Sequence, residues 1–370
     1  MKIAFRGIIM SIFILCFFIS AIAQNEEKKD NSLINSALKD LSFSGQWFLS
    51  YQNGKKKGES YNNFNLKRGY VTIQKKFSKN VSIRVTQDVS VDKEGDGMGD
   101  IEIRLKYGYL RYTFDSFGIL TKPFFEVGVV HRPWLDFEQG INTYRVHDKM
   151  FLENSGILSS ADYGITFSSL LGGTMDDEYK SKVSSKYPGK YGSVSIGIYN
   201  GGGYHSMETN ENKLIETRIS LRPLPDLIPG LQLSYIGGFG KGNTSEEPDY
   251  NFNGAYLSLQ HENFVITGNY FSSTGNEAGD LINSNGLALD ADGYSFFGEL
   301  KYGDISLFGR YDYYEEDHET FKSDNNKLSL GCGFLIVKGV RLITAYSRIS
   351  YSAADRSDDN LAEAAIEFNY

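Results

Sequence analysis

The sequence predicts an all-β chain: a transmembrane antiparallel β-barrel of about 16 strands, with short turns on one side and long loops on the other. Three observations predict it. Stretches of about ten residues alternate apolar and polar side chains along most of the chain, and the links between them alternate short and long. The chain also opens with an export signal, yet nothing later offers the roughly 20 apolar residues that a membrane helix needs. Composition agrees: 25 Tyr, 25 Phe and 39 Gly against only 7 Pro favour many strands and turns over a helical core.

At the start, Lys2 and Arg6 precede the apolar run "GIIMSIFILCFFISAIA", and Ala21-Ile22-Ala23 before Gln24 fits a cleavage site. Residues 1–23 therefore read as a signal peptide, with a retained anchor as the alternative. Residues 24–40 read as a polar periplasmic leader, and 41–370 as one barrel domain, since no Pro/Ser-rich linker divides them. Cys16 lies within the signal. Cys332 is then the only mature cysteine, so burial and backbone pairing must hold the fold together.

The strand pattern is clearest at "VSIRVTQDVSV", where Val81, Ile83, Val85, Val89 and Val91 share one face and Arg84, Thr86 and Asp88 the other. "IEIRLKYG" repeats it, with Ile101, Ile103, Leu105 and Tyr107 opposite Glu102, Arg104 and Lys106. Strands are predicted over 42–53, 63–77, 81–92, 101–115, 123–133, 161–170, 191–200, 213–223, 230–239, 251–260, 264–273, 292–302, 305–315, 326–337, 340–351 and 360–370. "SKN", "HEN", "GD" and "KG" are tight turns. "GKKKGESYN", "DKEGDGMGD", "GGGYHSMETNEN" and "EEDHETFKSDNN" are predicted as long polar loops. One link breaks the alternation: "GGTMDDEYKSKVSSKYPGK" (172–190) is long where a short turn is due. Tyr107, Tyr109, Tyr112, Phe114, Tyr311, Tyr313, Tyr314, Phe368 and Tyr370 gather near strand ends, as interface girdles require. A propeller would show a repeated blade motif, and none is present.

A water-filled barrel needs its charges inside, because Arg or Lys on the lipid face costs about 2–4 kcal/mol at the midplane. Strand phase puts Arg68, Arg84, Asp88, Glu102, Arg104, Lys106, Glu126, Glu216, Arg218, Arg222, Glu299, Arg310 and Asp312 in the lumen. Mixed charge there sets up a transverse field, or the residues simply pair to satisfy the inner wall. The third loop, 135–156, carries Asp136, Glu138, Arg145, Asp148, Lys149 and Glu153 and is the candidate constriction. "VDKEGDGMGD" resembles the first half of a calcium loop. Asp92, Glu94, Asp96 and Asp100 could gather a calcium ion, or form only an acidic turn; the twelfth position, where an EF-hand needs Glu, is Ile103. No other cofactor is expected. The five histidines fall in no nucleophile or metal motif, so no enzymatic activity is expected, and the net charge of -8 disfavours nucleic acid.

With these features in place, most of 41–370 resembles the phosphate-selective porin O and P family in its broad sense. The likeness lies in "FNLKRGYVTIQKKFSKNVSIRVTQDVSVD", "IEIRLKYGYLRYTF", "FFEVGVVHRPWLDFEQ", "FLENSGILSSADYGITF" and "SVSIGIYNGGGY". The final "AAIEFNY" is similar to the C-terminal strand that barrel-assembly machinery recognises. The resemblance implies a sixteen-stranded, trimeric porin of a diderm outer membrane with both termini in the periplasm. It would sit among outer-membrane lipids and pass small hydrophilic solutes or ions. The family's dense Arg/Lys ladder does not map onto this chain, so phosphate selectivity is not carried over. A substrate-specific anion or sugar channel, a closed-lumen adhesion barrel and a barrel hydrolase stay open as alternatives.

Overall fold

The computed structural model describes residues 38–93, 95–318, 322–353 and 356–370. The signal peptide, nearly all of the leader, and Glu94 lie outside them. Sixteen strands follow one another: β1 (Leu41–Lys56), β2 (Glu59–Lys76), β3 (Val81–Val91), β4 (Ile101–Thr113), β5 (Leu120–His131), β6 (Ala161–Leu171), β7 (Gly192–Tyr199), β8 (Leu214–Leu221), β9 (Leu231–Lys241), β10 (Asp249–Gln260), β11 (Phe264–Thr274), β12 (Asp290–Tyr302), β13 (Ile305–Asp317), β14 (Lys322–Val337), β15 (Val340–Tyr351) and β16 (Asp359–Asn369). Each pairs antiparallel with the next. β16 closes on β1 through pairs such as Tyr51↔Ala364, leaving no free sheet edge.

The wall is inverted relative to a soluble protein. On β4, Ile101, Ile103 and Leu105 point outward and are 47%, 44% and 43% exposed, while Asp88, Glu216 and Arg218 inside are 0% exposed. Alternation alone produces this separation, because successive strand side chains point to opposite faces. Only a hydrocarbon solvent makes such an outer face favourable.

Register shifts interrupt four of the strand pairings, and two of these β-bulges bring a lysine into the lumen. Across β1–β2 the register jumps from Phe48↔Arg68 to Leu49↔Leu66, and across β3–β4 from Thr86↔Tyr107 to Gln87↔Leu105. The extra residues are Lys67 and Lys106, and each bulge turns two consecutive side chains inward. Tyr107 and Tyr109, expected at the lipid interface, are therefore buried in the lumen at 7% exposure each. Tyr112 and Phe114 stay outside, with rings 4.8 Å apart.

Two of the expected long loops are instead taken up largely by strand. "GKKKGESYN" continues β1 and β2, with Gly54 opposite Tyr61, around a two-residue turn at Lys57 and Gly58 (φ 51° and 85°). Positive φ at both positions matches the twist of a hairpin, so the strands run on past the membrane. "EEDHETFKSDNN" likewise extends β13 and β14, pairing as far as Asp317↔Lys322. The link between β6 and β7 is long, as its sequence indicates, and carries a short helix.

The apolar core lies within the lumen. It is built by the β5–β6 loop, which contains α1 (Leu135–Gln139) and α2 (Phe151–Asn154) and turns inward. Trp134, Leu135, Val146, Leu152 and Ile157 are all 0% exposed.

Candidate channel constriction

The inward loop rests on a polar wall that would otherwise hold water. Arg132, wholly buried, pairs with Glu216 of β8 at 2.7 Å and with Glu277 of the β11–β12 loop. Arg218 donates from Nε to the Pro133 carbonyl (2.8 Å), and Arg310 from its guanidinium to the Lys149 carbonyl (2.6 Å). The Tyr144 hydroxyl donates to Glu299 (2.8 Å) while its ring lies 3.9 Å from that of Phe308. Farther along, Lys327 pairs with Asp148 (2.6 Å), and Arg341 donates to the Thr143 carbonyl (2.7 Å). Lys67 bridges Glu363 (2.6 Å) and the His147 carbonyl (2.7 Å). Trp134 meets Tyr256 edge-on at 4.9 Å, and Phe151 lies 5.4 Å from Phe271. The loop thus spans the lumen from β8 to β16 and on to β2.

These contacts revise the expected pore lining. Glu216, Arg218, Glu299, Arg310 and Asp312 lie beneath the loop, anchoring it rather than lining open water. Asp312 pairs with Arg310 at 2.7 Å. Arg222 lies under the β6–β7 link, donating to the Tyr179 hydroxyl at 2.9 Å. Glu126 belongs to the wall, between Arg111 (3.0 Å) and His131 (3.1 Å). Arg68 pairs with Asp88 (2.5 Å), which also accepts from the Tyr204 hydroxyl (2.8 Å). Glu102 and Arg104 pair with each other and are partly exposed.

Within the loop, Arg145 grips Glu153, with a second contact at 3.0 Å. Burial alone would raise the Glu153 carboxyl, but Arg145 overcomes it and brings the group down to about 2. Asp136 accepts from the Tyr187 hydroxyl (2.8 Å); burial is again outweighed there, by His131, Lys186 and that hydroxyl, so the carboxyl lies below its usual range. Glu138 behaves differently. It is buried, accepts from Trp134 Nε1 (2.8 Å), and lacks an ion-pair partner among the described residues; burial pushes it up to about 7. The Lys149 side chain is exposed.

Between the loop and the β1–β4 wall remains a cavity of about 660 Å³. Arg84, Lys106, Arg145, Lys186 and Arg341 line it, against Asp136 and Glu367. Arg341 is paired with Glu367 (2.7 Å) and Arg145 with Glu153, but Arg84 and Lys106 have no carboxylate partner among the described residues. Lys106, 4% exposed, donates to the Tyr70 hydroxyl (3.1 Å) and sits 4.5 Å above that ring. Arg84 donates to Thr86 (2.9 Å) and stacks 4.8 Å over Tyr107. The lining of this cavity is thus more basic than the chain as a whole.

Lys67, Arg132, Lys186, Arg341, Glu363 and Glu367 were not singled out from sequence. Alternation in "VRLITAYSRISY" and "NLAEAAIEFNY" does place Arg341, Glu363 and Glu367 on the inner face; Lys67 enters only through its bulge.

The acidic loop after β3 closes with Asp92 N donating to Asp100 O (2.8 Å) around a 3-10 turn at Gly95–Gly97. Among the described residues no three His, Cys, Asp or Glu side chains gather as metal ligands. Glu94 lies outside those residues, and of the four candidate ligands only Asp92, Asp96 and Asp100 are placed.

No family model and no curated protein matches the sequence. Solved structures do. OmpF of Salmonella typhi, in complex with daunomycin, aligns at TM-score 0.61 and 10% identity, covering 89% of this chain and 97% of that one. An anion-selective porin from Comamonas acidovorans aligns at 0.59 and 10%, covering 89% and 99%. OprB of Pseudomonas putida aligns at 0.56 and 9%, covering 92% and 97%. At these identities the likeness is one of fold, and the phosphate-selective family itself is not distinguished among them. The chain is a closed, sixteen-stranded, all-antiparallel barrel of the kind that porins form.

Proposed function

We propose that this protein is an outer-membrane porin through which small hydrophilic solutes diffuse passively, with a preference for anions at its narrow zone. The observation that carries the reading is the inverted wall together with an inward loop that leaves Arg84 and Lys106 facing a cavity without carboxylate partners among the described residues. Unpaired cations in a confined, low-dielectric passage raise the local anion concentration and lower the cation concentration. The usual orientation of such barrels puts the short turns and both termini in the periplasm and the long loops outside. By the same reading the outer face meets outer-membrane lipids, and the final strand, ending Phe368-Asn369-Tyr370, is the segment the assembly machinery takes up. One of the similar structures is described as a trimer form of an outer membrane protein of Vibrio cholerae, and we extend that assembly to this chain.

The test is single-channel recording of the refolded mature protein in a planar bilayer, with the reversal potential read in a salt gradient. Stable conductance steps with an anion-selective reversal potential are expected. Well-folded protein that inserts and conducts nothing would remove the channel reading, and a cation-selective potential would remove the assigned preference.

A further inference from the structure

The β6–β7 link departs from the barrel pattern. It is long on the rim where most links are short, and part of it enters the lumen. Its ends are joined by an isolated antiparallel bridge, Thr174↔Gly189, and by Met175 N donating to the Pro188 carbonyl at 2.7 Å. Between them stands α3 (Asp177–Lys182), capped by Asp176, whose side chain accepts from Tyr179 N at 2.7 Å. Tyr179 is buried against Arg222, whose guanidinium lies 4.8 Å over its ring.

Where the link returns to its closing bridge, Lys186 and Tyr187 reach the inward loop from below. The Tyr187 hydroxyl donates to Asp136, its ring meets Phe137 edge-on at 5.5 Å, and the Arg218 guanidinium lies 4.8 Å over that same ring. Tyr187 has φ 46°, left-handed for a residue with a Cβ, a conformation that needs such surrounding contacts to persist. Beside it Lys186 packs on Gly140, where an added Cβ would lie 3.0 Å from the lysine Cβ, and its exposed side chain lines the 660 Å³ cavity.

We infer that this link is a second constriction element, which closes the β6–β8 side of the lumen from the turn rim and makes Lys186 a selectivity-determining residue for anionic solutes. The inference rests on the porin reading. The inward loop narrows the passage from one end, the link narrows it from the other, and the two are joined at Asp136–Tyr187. Solutes then pass along the β1–β4 side, where Lys186 meets them together with Arg84 and Lys106. An added positive charge at a narrow point biases passage toward anions, most strongly at low salt.

Two variants test this in planar bilayers alongside the unaltered protein. In the first, residues 175–188 are replaced by Asn-Gly, a two-residue turn that suits the Thr174↔Gly189 bridge. About a twofold or greater rise in conductance is expected. The second is Lys186→Glu, an exposed change that leaves packing intact. Its anion-to-cation permeability ratio should fall severalfold in dilute salt with little change in conductance. If the shortened variant does not fold, Lys186→Glu alone decides. An unaltered protein that conducts, with both variants matching it in conductance and reversal potential, would overturn this inference and leave the porin reading standing. An unaltered protein that does not conduct removes the porin reading itself.

Discussion

Lys106 shows how much one inserted residue can decide. As the extra residue of the β3–β4 bulge it turns inward together with Tyr107, and its ammonium rests on the Tyr70 ring with no carboxylate partner among the described residues. Exchanging it and its neighbour together, Arg84→Met with Lys106→Met, should shift the reversal potential in a salt gradient toward cation preference while conductance steps persist. Glu138 carries a different expectation. Burial pushes its carboxyl up to about 7 from 4.5, so between those values the folded protein holds a proton that the unfolded chain has released. Stability should therefore fall as pH rises through that window and level off above it. Glu138→Gln keeps an acceptor for Trp134 and has no charge to bury. The variant should exceed the unaltered protein in stability at pH 8, by at most about 3 kcal/mol, and match it at pH 4. Heat-modifiable migration on gels, followed against temperature at the two pH values, reads this directly.

At the scale of elements, the strands and the inward loop depend on different forces. The strands follow from alternation and hairpin chemistry, local properties that put all sixteen near their predicted positions. The loop is held by long-range polar contacts, Arg132–Glu216, Arg310 with the Lys149 carbonyl, and Lys327–Asp148. Sequence spacing does not announce these, since each joins residues from distant strands and loops. Removing one member of a buried pair leaves the other uncompensated, at a cost of about 3–5 kcal/mol. Arg310→Met should accordingly lower the unfolding temperature and make the channel current noisier as the loop loosens. Lys322→Met, which removes an exposed partner of Glu315 at the rim, should change neither measurement.

At the scale of the whole molecule, the outer wall carries a row of small side chains. Cys332, Thr344 and Ala364 pair across β14, β15 and β16 and form a shallow recess facing outward. Close packing of another copy suits such a surface, because small residues let backbones approach. On the trimeric assembly proposed above, Cys332→Trp should abolish the trimer band of the unheated protein on gels while single channels of the monomer keep their conductance. A trimer band that survives the substitution would move the interface elsewhere on the barrel.

The sequence by itself determined the barrel class, the strand order and the location of the inward loop. Each depends on local periodicity, or on the length and composition of one link. Inward residues such as Arg84 and Asp88 were legible for the same reason, as strand phase is a property of a few neighbouring residues. Only the tertiary structure decided which charges face water. Glu216, Arg218 and Arg310 obey the phase rule yet lie under the loop, because burial depends on what crosses the lumen from elsewhere in the chain. Two bulges, at Lys67 and Lys106, were likewise decided by pairing with the adjacent strand: an extra residue is absorbed wherever neighbouring ladders fit best, and no local signal marks the place.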